Sequence, residues 1–76
     1  MKSVVISLKE AENVKSFVNL VNQYPFDMDL RSGRFVVDAK SILGIFSLNL
    51  SSPLTLEIHS DDCDELIAKL GAYSAR

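Results

Sequence analysis

Val37-Asp38-Ala39-Lys40-Ser41-Ile42-Leu43-Gly44-Ile45-Phe46-Ser47-Leu48 holds the transition that decides the fold. Its first residues end a β-branched run, Arg34–Asp38 (RFVVD), that reads as a strand. From Ser41 to Leu48 the chain reads as a short helix. Ser41 is a good helix cap, because its hydroxyl accepts a backbone N–H two or three residues on. Asn49 suits the left-handed conformation that often closes a helix.

Working back from this stretch, Ser32-Gly33 is a turn signal, and Phe26–Arg31 (FDMDLR) alternates strictly between apolar and polar. That is a strand with one wet face, and with Arg34–Asp38 it makes a hairpin. Upstream, Val14, Phe17, Val18 and Val21 fall at helical spacing within Lys9–Gln23, and Ala11 extends the stripe one turn earlier. Pro25 disfavours helical geometry at Tyr24 and ends that helix. Ser3–Leu8 (SVVISL) is the first strand.

Working forward, Ser51-Ser52-Pro53 is a loop, and Leu54–His59 (LTLEIH) alternates again, with Leu54, Leu56 and Ile58 on one face. Ser60-Asp61-Asp62 supplies caps and negative charge at a helix start. Leu66, Ile67 and Leu70 form a last apolar stripe, which Gly71 is expected to end, leaving a frayed tail from Ala72 to Arg76. The order is βαββαβα. Four short strands with three helices on one face predict an α+β two-layer sandwich on an antiparallel sheet. The open face would carry Asp27, Asp29, Arg31, Thr55 and Glu57, which an antiparallel sheet tolerates.

The chain has 76 residues, which allows one domain, expected to span 1–76. Eight basic against ten acidic residues give a net charge of −2, so there is no electrostatic footprint for nucleic acid. No run approaches the ~20 apolar residues of a membrane span, so no membrane insertion is expected. Val4-Val5-Ile6 is too brief for a signal-peptide core. With that and an unpaired Cys63, the expected location is the cytoplasm. Cys63 sits among Asp61, Asp62, Asp64 and Glu65, whose charges oppose thiolate formation. One cysteine and one histidine, His59, exclude a thiolate zinc site and a histidine-pair site, so neither metal nor cofactor is expected. The phase of His59 with Thr55 and Glu57 points it to the open face, where it reads as a surface imidazole without a partner. The acidic residues lack the glycine and terminal glutamate of a calcium loop.

The opening stretch resembles the V-[ND]-x-K-S-[IL]-[ML]-G-[VL]-[ML]-S-L segment of HPr, the histidine-containing phosphocarrier family of the bacterial phosphoenolpyruvate–sugar phosphotransferase system. Tyr24–Leu30 resembles that family's second strand and Leu54–Ile58 its fourth. The resemblance implies the family's open-faced β-sandwich, the same βαββαβα order read from pattern alone. It also implies where a phosphoacceptor belongs. The family carries G-[IL]-H-A-R-P at the start of its first long helix, and in register that motif falls on Leu8-Lys9-Glu10-Ala11-Glu12-Asn13. Glu10 stands at the histidine position, Glu12 at the arginine position and Asn13 at the proline position; only Ala11 agrees.

A phosphocarrier needs a nitrogen nucleophile and positive charge, or helix N–H groups, around the phosphoryl oxygens. Glu12 instead sets like charge against the phosphoryl group, a repulsion of about 1 to 4 kcal/mol at ~4 Å. Histidine phosphocarrier activity is therefore expected to be absent, and the protein is not expected to be an enzyme. The alternative is phosphotransfer on a non-standard acceptor, Glu10 or His59.

Two further features follow. In Gram-positive relatives the serine of the K-S-I motif is the target of a regulatory kinase, which makes Ser41 the candidate regulatory phosphorylation site. A short helix buries only one stripe. With Ile45 and Leu48 facing the core, Ile42, Leu43 and Phe46 are left at least partly exposed as a partner-binding patch. The resemblance implies phosphotransferase-system or catabolite-control proteins as partners for that patch. The low net charge and the apolar patch allow a monomer or a weak homodimer.

Overall fold

A computed structural model describes residues 1–74. In chain order the elements are β1 (Lys2–Ile6), α1 (Ala11–Val21), β2 (Met28–Ser32), β3 (Phe35–Asp38), α2 (Ile42–Phe46), β4 (Leu54–Ile58) and α3 (Asp64–Lys69), followed by a 3-10 turn over Leu70–Tyr73. The four strands form one antiparallel sheet in the order β1-β4-β2-β3. The predicted α+β order and open-faced sandwich are what the chain adopts.

The two faces of the sheet differ in kind because side chains alternate along each strand. Val4, Leu56, Leu30 and Val37 lie in one cross-strand row on the helix side. Ser3, Glu57, Asp29 and Asp38 form the neighbouring row on the open side. The helices cover only the first face. Val14, Phe17 and Val21 of α1, Ile45 of α2 and Leu66 of α3 are fully buried over Ile6, Leu30, Leu54, Leu56 and Ile58. Ala11, placed on the same stripe by spacing, is the first residue of α1 and is exposed instead. Gly33 turns the β2–β3 hairpin with φ +58°, a conformation that a residue without Cβ adopts freely. Gly44 lets α2 close onto β3: a Cβ there would stand 3.2 Å from Cβ of Val37.

The ends of several elements differ from the sequence reading. The first strand runs Lys2–Ile6 rather than Ser3–Leu8, because Ser7 leaves the ladder to donate its N–H to the Tyr73 carbonyl (2.8 Å). The second helix is regular only over Ile42–Phe46: the Ser47 hydroxyl donates to the Gly44 carbonyl (2.6 Å) and ends it. Asn49 does not close it in a left-handed conformation, since no non-glycine residue among those described has positive φ. Its side chain accepts instead from the Ser51 N–H (3.2 Å) and hydroxyl (2.6 Å). Gly71 does not end the last helix, and Ala72 and Tyr73 are not frayed. The 3-10 turn carries the Tyr73 ring edge-on against Phe17 (centroids 5.8 Å apart, 83°), its hydroxyl 2.6 Å from that of Ser16. Ser74 then bridges Ile6. The rest of the expected tail, residues 75 and 76, lies outside the described residues.

Two exposed ion pairs tie β1 to the entry of α3: the Met1 ammonium with Asp61 (2.7 Å) and Lys2 with Asp64 (3.0 Å). The hydrogen bond and charge of the ammonium hold the Asp61 carboxyl below its ordinary range, and Asp64 likewise raises Lys2.

Phe17→Ala should destabilise the fold by about 3–5 kcal/mol in urea titration, as for other buried aromatics. Tyr73→Ala should cost about 1 kcal/mol or more, as expected for a lost hydrogen bond and ring contact; a frayed tail would cost nothing. The stabilising share of Asp61 is present above the carboxylate's unfolded pKa and is lost as pH falls through its lower folded value. Asp61→Asn should therefore flatten the stability profile only on the acid side.

Candidate functional site

α1 begins where the motif register places a phosphoacceptor. Glu10 is its N-cap, in extended geometry (φ −109°, ψ 145°), and its side chain makes no capping bond. Its carbonyl accepts from the N–H groups of Asn13 (3.0 Å) and Val14 (3.2 Å). Leu8 is buried and anchors the chain just before the helix, whereas Glu10, Ala11, Glu12 and Asn13 are all exposed. The helix N-terminus therefore opens to solvent with its first amides free, as at any helix start. Among the described residues neither Glu10 nor Glu12 pairs with a cation. Both carboxylates are favoured by the helix dipole there. Their exposed side chains offer carboxylate oxygens at the start of the helix.

His59 stands elsewhere. It follows Ile58, which pairs with Lys2 at the far end of β1, whereas Glu10 follows the other end, at Ile6. Four residue steps of the five-residue strand separate the two ends, about 13 Å at the usual rise. His59 cannot share a site with α1's start. The reading of His59 as a surface imidazole without a partner is corrected: its Nε2 lies 2.8 Å from Oδ2 of Asp29, across a shallow hollow on the open face lined by Asp27, Met28 and Asp38. The cause lies in the sheet. Asp29 is directly opposite both Glu57 and Asp38. Like charges set opposite are destabilising. Arg31 bonds Glu57 (3.0 Å) and His59 bonds Asp29, so these two carboxylates have counter-groups, whereas the Asp38 carboxylate accepts, among the described residues, only the Lys40 N–H (2.9 Å). Among the described residues, no group of three or more His, Cys, Asp or Glu side chains is arranged to hold a metal ion.

Ser41 is the N-cap of α2. Its hydroxyl accepts from the Gly44 N–H (3.2 Å) and its carbonyl from the Ile45 N–H (3.1 Å). Beside it, the Lys40 ammonium donates to the Tyr24 carbonyl (2.7 Å) and holds the cap loop against the end of α1. Ser41 is half-buried. Of the residues on α2, Ile45 faces the core, as does Leu48 just beyond it. Ile42 is half-buried against the core, Leu43 is 82% exposed and Phe46 44% exposed.

Sequence reasoning also missed the exposure of Met1 and Val5 at β1 and of Phe35 (72%) and Val36 (47%), which are neighbours on β3. Their β-branched and aromatic run marks a strand, but nothing in a run says that the strand lies at the sheet's edge.

A family profile described as the PTS HPr component phosphorylation site matches residues 8–75. No curated protein matches the chain. Among solved structures, the chain is similar to HPr-C-His from Thermoanaerobacter tengcongensis, with 30% identity over 95% of this chain and 89% of that one, at a TM-score of 0.80. It is also similar to a phosphocarrier protein HPr from Bacillus anthracis str. Ames, with 32% identity over 96% and 93% of the two chains, at a TM-score of 0.71.

Ser41→Ala should remove the α2 cap and cost about 1 kcal/mol. Amide exchange at Gly44, whose N–H loses its acceptor, should speed up by more than exchange at the β1–β4 amides, which should follow the global change alone.

Proposed function

Because the chain belongs to the HPr family, we propose that it is a homologue of the sugar phosphotransferase system's carrier that does not carry phosphate on histidine. It acts instead as a regulatory protein-binding module. The observation behind this reading is the pair Glu10 and Glu12 at the exposed start of α1, at the family's histidine and arginine positions. The family's chemistry needs a nitrogen nucleophile with positive charge beside it. Two exposed carboxylates without a cation partner reverse both requirements. The family carries phosphate rather than catalysing a reaction, and this chain is read as a non-enzyme of the bacterial cytoplasm. No helix among the described residues is long and apolar enough to cross a membrane.

Binding is assigned to α2. Leu43 and Phe46 present apolar surface beside the half-buried Ile42, and partners of the phosphotransferase or catabolite-control type would dock there. Ser41 lies at the near end of the same helix. A phosphoryl group on it would add about −1.5 to −2 charge at the border of the patch. It would also withdraw the hydroxyl from its present bond with Gly44.

Incubation with phosphoenolpyruvate and enzyme I should leave the intact mass unchanged under alkaline and acidic conditions. A gain of one phosphoryl group that disappears in Glu10→Gln would overturn the reading in favour of an acyl phosphate; one that disappears in His59→Gln would place it on the imidazole. Phe46→Asp should weaken capture of the partner by about 2 kcal/mol or more, as for a desolvated anchor; an identical partner list for both proteins would count against α2. The regulatory kinase should add one phosphoryl group to wild type and none to Ser41→Ala.

A further inference from the structure

β3 is the outermost strand on its side of the sheet, and no described strand or bridge pairs with its outer edge. The opposite edge is protected. There Ser74 bridges Ile6, the Ser7 N–H donates to the Tyr73 carbonyl, and Lys2 guards the other end. Open edges are usually blunted by such charges and covers. β3 has neither along Phe35-Val36-Val37, and Phe35 and Val36 are exposed.

One hydrogen bond fixes which groups of β3 point outward. The Ala39 N–H donates to the Met28 carbonyl (3.0 Å). An antiparallel ladder alternates bonded and non-bonded pairs. With Asp38 opposite Asp29, Val37 and Phe35 are therefore the residues bonded to β2. Val36 and Asp38 turn their main-chain groups outward. The Asp38 carbonyl is taken by the Ser41 N–H (3.0 Å), which leaves the Val36 N–H, the Val36 carbonyl and the Asp38 N–H free among the described residues.

A second copy of the same edge meets these groups. A two-fold axis at Val36 lets each Val36 N–H donate to the Val36 carbonyl of the other copy. The same register sets Arg34 of each copy opposite Asp38 of the other. Neither Arg34 nor Asp38 belongs to an ion pair within the described chain; Asp38 Oδ1 accepts the Lys40 N–H (2.9 Å), which leaves its charge without a cation. A slip of two residues sets Val36 opposite Asp38 and loses both ion pairs. On the helix side, this register covers the exposed Phe35 with Val37 of the second copy.

We propose that the β3 edge joins two copies of this chain by antiparallel pairing centred on Val36, with Arg34–Asp38 ion pairs on either side of the axis. The four-stranded sheet then runs on into a sheet of eight. The contact belongs with the smaller interfaces, below about 1,200 Å², so association is reversible.

Sedimentation equilibrium from micromolar to millimolar concentration should show the mass rising above 8.4 kDa towards twice that value. Arg34→Glu, in an exposed turn, should weaken association about tenfold or more, because two attractive pairs become repulsive. Arg34→Asp combined with Asp38→Arg should restore it. Val36→Cys should cross-link to itself on oxidation, since a bonded antiparallel pair sets the two Cα atoms about 5.5 Å apart, within disulfide range. Cys63 is buried and stays out of that reaction. Ser3→Cys, exposed on the same face, should cross-link far more slowly. A mass of 8.4 kDa at every concentration would overturn the proposal. So would a dimer that persists in Arg34→Glu and is lost in Phe46→Asp.

Discussion

Only one face of the sheet is covered, and three short helices must cover it. That constraint orders the rest of the molecule. Each helix commits its apolar stripe to the row of Val4, Leu56, Leu30 and Val37 and its neighbours, so every other helix surface is left to solvent. The start of α1 is free for that reason. So are Leu43 and Phe46, for which a helix as short as α2 has no second buried face to offer. The same constraint leaves the open face to charged residues, where Asp29 lies between Glu57 and Asp38 and is balanced by Arg31 and His59.

Against that scaffold, the side chains of Glu10 and Glu12 set the charge at the start of α1 and not its shape. The helix has an extended N-cap and an exposed first turn, and Leu8 anchors the chain just before it. The residues that hold the helix in place, Leu8, Val14 and Phe17, are buried, and the side chains of Glu10 and Glu12 are not among them. Glu10 and Glu12 are exposed, and the Glu10 side chain makes no capping bond, so the helix does not depend on either side chain.

Much of the architecture was legible in the sequence because burial on one face writes itself as alternation in strands and as a stripe in helices. Met28 and Leu30, Leu54 to Ile58, and Val14, Phe17 and Val21 all lie where spacing puts them. The split within α2, with Ile45 inward and Leu43 outward, was legible for the same reason. What could not be read depends on contacts distant along the chain. Tyr73 is ordered by Phe17 and Ser16, and His59 meets Asp29 only because β4 lies beside β2. The exposure of Phe35 and Val36 comes from the place of β3 in the sheet, which no local pattern encodes.

The strand order also governs how the chain can fold as it is made. β4 is the central link: it alone connects β1 to the β2–β3 hairpin, and Lys2 waits for Ile58 before it has a ladder partner. A nascent chain that has emerged as far as α2 holds a lone hairpin, and an isolated hairpin is marginal at best in water. Until Leu54–Ile58 leave the ribosome, the apolar row of β1 has nothing to pair with, and α1 has only part of a sheet to cover. Synthesis proceeds at about 5–20 residues per second, so that exposed interval lasts seconds.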